Sequence, residues 1–286
     1  MTHGALAMQS ENFPVASRLI RRDLRGDVMT FYTFARTADD MADDPARSPA
    51  ERMAWLEAGA GALRGTLTDR PTGSLVAAAQ ALREALSHRD PALLTHPEAL
   101  LTAFRQDARG RIYASDADLL DYCQYSAVPV GRFLLDLHGE GPDCTAPSDA
   151  LCSALQILNH LQDITEDKVR LGRVYLPGNR LRAAGVNPRD LTADKLTPAL
   201  RQVVDGLLDL CDDLLAKAAP LPRRIAARGL AGEAASILWL ARDLSRRLRH
   251  DDPLARRVAP SPFAFLRAAL VGSARCLRPG ALVPSR

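Results

Sequence analysis

Four aspartates, Asp39, Asp40, Asp43 and Asp44, crowd into six residues at the end of the run VMTFYTFARTADDMADD, Val28 to Asp44. If the run is helical, Asp39 and Asp43 stand one turn apart and point the same way. Like charges at that spacing repel by roughly 0.2–0.5 kcal/mol per pair on an exposed helix, and the negative end of the helix dipole adds to the cost. Such a cluster attracts cations. Its geometry suits Mg2+, which takes one or two carboxylates and fills its other positions with water and phosphate oxygens. The plainer reading is a solvated acidic helix end followed by a turn at Pro45. A second stretch, QILNHLQDITED from Gln156 to Asp167, sets Asn159, Asp163 and Asp167 at i, i+4 and i+8, with Gln156 a turn earlier. Two such rows facing each other across a cavity could hold several Mg2+ ions against a diphosphate.

Both rows need helices to carry them. Val28 to Asp44 holds no Gly or Pro, and Phe31, Phe34, Ala35 and Ala38 fall on one helical face. In the second stretch Ile157, Leu158, Leu161 and Ile164 supply apolar cover. That helix is expected to be capped by Ser148 or Asp149 and to run through Asp167. Between the rows, a helix opens at Ser48 or Pro49, Asp69 to Thr72 breaks it, and SLVAAAQALREALS follows. PEALLTAFRQDARGRIY makes another, on which Asp107 faces either solvent, flanked by Arg105 and Arg109, or the interior. Ala117 to His138 reads as one helix kinked at Pro129, with Gly131 permitting close backbone approach. Leu196 to Ala219 and Gly232 to Leu248 read as two long helices. With no internal repeat and no alternating strand pattern, the sequence indicates an all-α protein.

The composition of the 286 residues, 47% hydrophobic and 25% charged, is that of an ordinary globular chain. A net charge of +3 gives no reason to expect nucleic acid. Five widely spaced cysteines without a C-x-x-C pair suggest neither a disulfide framework nor a zinc site. No stretch reaches a membrane span of about 20 apolar residues and no leader pattern opens the chain, so a cytoplasmic protein is expected. From Arg242 onward ten arginines stand against Asp243, Asp251 and Asp252. This basic tail, with Phe263, Phe265, Leu266, Leu270 and Val271, fits either peripheral contact with an anionic bilayer or a final helix packed on the body with its arginines outward.

Tyr32, Arg36, Asp39 and Asp43, then Asn159, Asp163 and Asp167, with Arg173-Val174-Tyr175-Leu176-Pro177 beyond, resemble the squalene/phytoene synthase family of head-to-head prenyl transferases. The resemblance runs roughly from Ser10 to the 240s. Within the family, Glu11 to Ser17, Ser126 to Arg132 and the wording Asn159-His160-Leu161-Gln162-Asp163 look like the bacterial hydroxysqualene synthases of hopanoid-type squalene biosynthesis. The resemblance implies the isoprenoid-synthase helical bundle with a central active-site cavity, as one domain over residues 1–286 with its core at about 10–250 and a basic tail at 251–286. It makes Asp39, Asp43, Asn159, Asp163 and Asp167 the metal ligands, and Tyr32, Arg36 and Tyr122 further catalytic residues. Ser10, Asn12, Arg36, Gln156, Lys168, Arg173 and Tyr175 are assigned to the diphosphate. Gln162 departs from the pattern, since many relatives carry Arg there and one positive charge is lost.

The reaction so implied is ionisation of presqualene diphosphate, a prenyl diphosphate, and capture of water to give hydroxysqualene, with Mg2+ and no nicotinamide. Neighbouring enzymes of squalene biosynthesis are the partners the resemblance suggests. Three alternatives stay open. One is condensation of two farnesyl or geranylgeranyl diphosphates to presqualene diphosphate, dehydrosqualene or phytoene. Another is a non-catalytic helical partner protein of the same fold. The third, a di-iron bundle, lacks the Glu-x-x-His pairs it would need.

Overall fold

A computed structural model describes residues 19–67 and 73–277, and every regular element among them is helical. Ser10, Asn12, the stretch around them and the break at 69–72 lie outside the described residues. The main helices are α1 (Arg25–Ala42), α2 (Pro49–Arg64), α3 (Ser74–Ala85), α4 (Thr95–Ala108), α5 (Asp116–Ser126), α6 (Val128–His138), α7 (Thr145–Gln162), α8 (Pro198–Ala218), α9 (Arg228–His250) and α10 (Pro262–Leu277). Local chemistry fixes several starts. Ser48 and Glu51 form a reciprocal capping box at α2, and Ser115 and Asp118 do the same at α5.

Two apolar clusters make the core. The first joins Phe31, Phe34 and Ala38 of α1 to Leu56 and Leu63 of α2, Leu75 and Leu82 of α3 and Leu100 and Phe104 of α4. The second joins Leu119 and Tyr122 of α5 to Ile157, Leu158 and Leu161 of α7 and to the inner faces of α8 and α9. Helix α6 is the seam. Its Phe133 stacks on Phe31 with ring centroids 4.0 Å apart, while Leu135 belongs to the second cluster. Gly131 lets α6 lie against α7, because a Cβ there would meet Cys152 Sγ and Ser148 Oγ at 2.6 Å.

Two expectations from the sequence need correction. Ala117 to His138 is not one kinked helix, because the chain leaves helical geometry at Ala127 (φ −128°, ψ −42°) and α6 begins afresh. Pro129 then occupies the first turn of α6, where its missing N–H costs nothing. The ligand helix α7 starts at Thr145, after a 3-10 turn at Pro142–Cys144, and Pro147 sits in its first turn. It ends at Gln162 rather than Asp167: Asp163 (φ −111°, ψ 19°) interrupts it, and a short turn at Ile164–Glu166 and a π-turn at Asp167–Leu171 follow. The last helix, α10, packs on α9 through Ala264, Ala268 and Gly272, and its outward face carries both the exposed Arg267 and the exposed Phe263, Leu266 and Leu270, so features of both readings of the basic tail are present.

Candidate active site

Helix α1 buries Phe31, Phe34, Ala38 and Ala42, so Arg36, Asp39 and Asp40 are left on its other side. Its acidic end is neutralised by arginines. Arg36 reaches Asp39 at 3.2 Å and Asp40 at 2.7 Å, and Arg47 holds Asp44 at 2.9 Å. Asp43 is met from across the molecule, by Arg173 at 2.5 Å and Arg170 at 3.6 Å. Burial, then the neighbouring Asp43 charge, pushes the Asp39 carboxyl up to about 7, with Asp107 and Asp40 adding to the effect and Arg36 opposing it. Its side chain stays 40% exposed, so retained water moderates the cost of ionising it.

The residue that joins this row to the rest is Arg173. Gly172 closes the π-turn in the left-handed region (φ 68°), and the Arg173 N–H donates to the Asp167 carbonyl at 3.0 Å. The side chain is thereby sent inward, where it is 7% exposed. Its Nη1 serves Asp43, its Nη2 donates to the Ala42 carbonyl at 2.8 Å and its Nε donates to the Asp107 carbonyl at 3.1 Å. One guanidinium therefore ties the end of α1 to the end of α4. Burial alone would lower its pKa, but Tyr175, Asp107 and Asp43 outweigh that and raise it, so the charge is permanent.

Asp107 faces the interior, which closes the choice left open by the sequence. It follows Leu100, Ala103 and Phe104 on the buried face of α4. Its carboxylate accepts hydrogen bonds from Tyr122 at 2.8 Å and Tyr175 at 2.9 Å. Burial raises the Asp107 pKa, against the pull of Arg173 and the two phenols. Burial and then Asp107 also raise both phenols, well above the usual value for Tyr122, so each stays a neutral donor. Tyr113 completes the cluster, 5.1 Å from Tyr122 and 5.8 Å from Tyr175 between ring centroids. Its hydroxyl is buried with no hydrogen-bond partner among the described residues, the condition in which a bound water or ligand is expected.

The second row reaches the same cluster through His160, whose ring stacks on Tyr175 at 3.7 Å. One ring nitrogen lies 3.1 Å from the Gln156 amide and the other 3.7 Å from Asp167. Asn159 stands at the half-buried surface of α7, and Asp163 is raised by burial while Arg257, 3.7 Å away, lowers it. The charge that Gln162 does not supply thus arrives from another segment. Gln162 is buried and donates to the Val258 carbonyl, which docks residues 251–261 beside the site and brings Arg257 to Asp163.

A path of contacts therefore runs from Asp43 through Arg173, Asp107, Tyr122 and Tyr175 to His160 and Asp167. Tyr32 and Arg36 lie on α1 outside this path, and Lys168 is half-buried in the π-turn. Sequence reasoning passed over Tyr113, His160 and Arg257. His160 adjoins Asn159 and was legible as a polar break in an apolar flank, whereas Tyr113 and Arg257 lie in connections whose placement no local pattern announces. Among the described residues no three His, Cys, Asp or Glu side chains converge enough to cage a metal ion. The donor set fits ions that rest on one or two carboxylates and complete their shells with ligand oxygens and water.

The squalene/phytoene synthase family model matches residues 6–264. A hydroxysqualene synthase of Zymomonas mobilis is 38% identical over 267 residues, 93% of this chain and 88% of that protein. A hydroxysqualene synthase of Rhodopseudomonas palustris is 40% identical over 260 residues, covering 91% of this chain and 87% of the other. The crystal structure of squalene synthase HpnC from Alicyclobacillus acidocaldarius superposes with a TM-score of 0.69 at 30% identity, over 82% of this chain and 87% of that one. The bundle has the isoprenoid-synthase helical fold, and with both aspartate rows inside the matched span the chain belongs to the squalene/phytoene synthase family.

Proposed function

We propose that the protein ionises presqualene diphosphate and captures the carbocation with water, giving hydroxysqualene and diphosphate. The identity of 38–40% to hydroxysqualene synthases over nine-tenths of the chain supports this choice within the family. The site supplies the chemistry. Asp39 and Asp43 on one side and Asn159, Asp163 and Asp167 on the other would hold Mg2+, which when bound offsets the negative charge that builds on a departing diphosphate. Arg36, Lys168 and Arg170 are the cations that would meet phosphate oxygens from the surface of the site, and Arg173, assigned to the diphosphate by the resemblance, is held in this structure by Asp43 and by the Ala42 and Asp107 carbonyls.

Tyr122 is a buried phenol whose hydroxyl is committed to Asp107, so the proton stays on the ring oxygen, and its electron-rich ring would be the group to stabilise a carbocation held beside it. Tyr113, whose buried hydroxyl has no hydrogen-bond partner among the described residues, is the group we assign to hold the captured water. Purified protein with Mg2+ and no nicotinamide is expected to give hydroxysqualene from presqualene diphosphate. A C30 or C40 condensation product from farnesyl or geranylgeranyl diphosphate, with presqualene diphosphate left untouched, would overturn the proposal.

A further inference from the structure

Helix α10 is built inside out. A surface helix normally turns its large apolar residues to the core. Here the buried residues, at i, i+4 and i+8, are Ala264, Ala268 and Gly272. Gly272 and Gly232 of α9 approach so closely that a Cβ on either would lie 2.7 Å from the other's carbonyl oxygen. Ser236 locks the contact by donating to the Ala268 carbonyl at 2.8 Å. The opposite face, at i, i+3, i+7 and i+14, carries Phe263, Leu266, Leu270 and Leu277, exposed at 61%, 57%, 62% and 83%. Four large side chains in one stripe form a patch of the kind that marks an interaction surface.

Charge identifies the partner. Beside the stripe a pocket of about 420 Å3 opens between α9 and α10, lined by Trp239, Arg246, Arg247, His250, Ser261 and Arg267. Asp243 and Asp251 also line it. Asp243 is shared by Arg246 at 3.3 Å and Arg247 at 2.6 Å, and Asp251 is engaged by Arg256 at 2.6 Å. Arg267 instead lies over the Phe263 ring at 4.8 Å and is exposed. An apolar stripe edged by arginines, with an indole beside it, matches the layered chemistry of a bilayer interface, where acyl chains lie beneath phosphate headgroups.

We propose that α10 is a membrane-docking helix, lying in the plane of an anionic bilayer with Phe263, Leu266, Leu270 and Leu277 among the acyl chains and the pocket around Arg267 on a lipid phosphate. This surface is independent of which prenyl diphosphate the enzyme consumes. No helix among the described residues is long and apolar enough to cross a membrane, so the attachment is one of depth rather than span.

Flotation of the full chain with vesicles of phosphatidylcholine, with and without phosphatidylserine, tests the proposal. Binding about ten-fold tighter to the anionic vesicles and weakened by salt is expected. The double variant L266D/L270D should lose it while keeping the thermal midpoint and the turnover of detergent-dispersed substrate. R267E should lose only the preference for anionic lipid. Absence of vesicle binding, or binding unchanged in L266D/L270D, would overturn the proposal. So would light scattering that shows a dimer which the double variant dissociates without vesicle binding, because the stripe would then be covered by a second copy.

Discussion

The two acidic rows solve the same electrostatic problem in different ways. The first sits at the end of an unbroken helix, with Asp43 as its C-cap and Asp44 just beyond, and three of its four aspartates are balanced by arginines within a few residues on the same segment. The second sits where a helix fails, at Asp163, whose charge is met by Arg257 from another segment while Asp167 lies beside the His160 ring. Local pairing leaves a row legible in sequence. Distant pairing makes a row depend on the whole bundle, and Asp43, bound by Arg173 from 130 residues away, is where the two strategies meet.

Removing Asp43 should do the most damage to function. Asp43→Ala takes away a proposed metal ligand and leaves Arg173 buried without its carboxylate, and kcat should fall by about 10^3-fold or more. Next comes Arg173→Ala. Arg173 is buried and Asp43 only partly exposed, so the variant should lose about 3 kcal/mol of stability, read in urea melts, as well as activity. If Arg173→Ala melted like the parent, the link between the rows would be wrong.

Smaller effects separate the rows from the cluster. Tyr113→Phe should leave ionisation within a few-fold but lower the hydroxylated share of product, as measured by mass spectrometry. Asp39→Asn should lower turnover by about 10^2-fold, less than the loss of Asp43, and yet raise the thermal midpoint of metal-free protein at pH 8. The sign follows from the raised pKa: the contribution of Asp39 to folding is complete below about 4 and is lost as pH rises through about 7. At pH 4 the variant and parent should therefore melt alike. The smallest change is Arg257→Ala. An exposed partner at 3.7 Å is worth roughly 0.2–1 kcal/mol, so KM should rise only a few-fold at low salt and less at high salt.

What could be read from sequence followed the same division. Helix α1 was legible because its apolar period and its acids lie on one uninterrupted segment, and α8 and α9 for the same reason. Helix α7 was read too long because the i+4 spacing of Asn159, Asp163 and Asp167 continues across the interruption, and its N–H groups still bond four residues back. The break at Ala127 was hidden because apolar residues recur on both sides of it. Asp107 was half-legible: the family resemblance implied an acidic residue facing the interior there, but the flanking Arg105 and Arg109 argued for solvent. The face of α10 was half-legible: Phe263, Leu266 and Leu270 could be read as turned to a bilayer or to the body, since only packing decides whether alanines or leucines turn inward.

One measurement reaches the central claim most directly. Presqualene diphosphate is turned over by the purified protein with Mg2+ in water enriched in oxygen-18, and both products are weighed. Cleavage of the carbon–oxygen bond with water capture predicts one heavy oxygen in hydroxysqualene and none in diphosphate. An unlabelled alcohol with heavy oxygen in the released phosphate would mean phosphorus–oxygen cleavage, and the carbocation account of the site would be wrong.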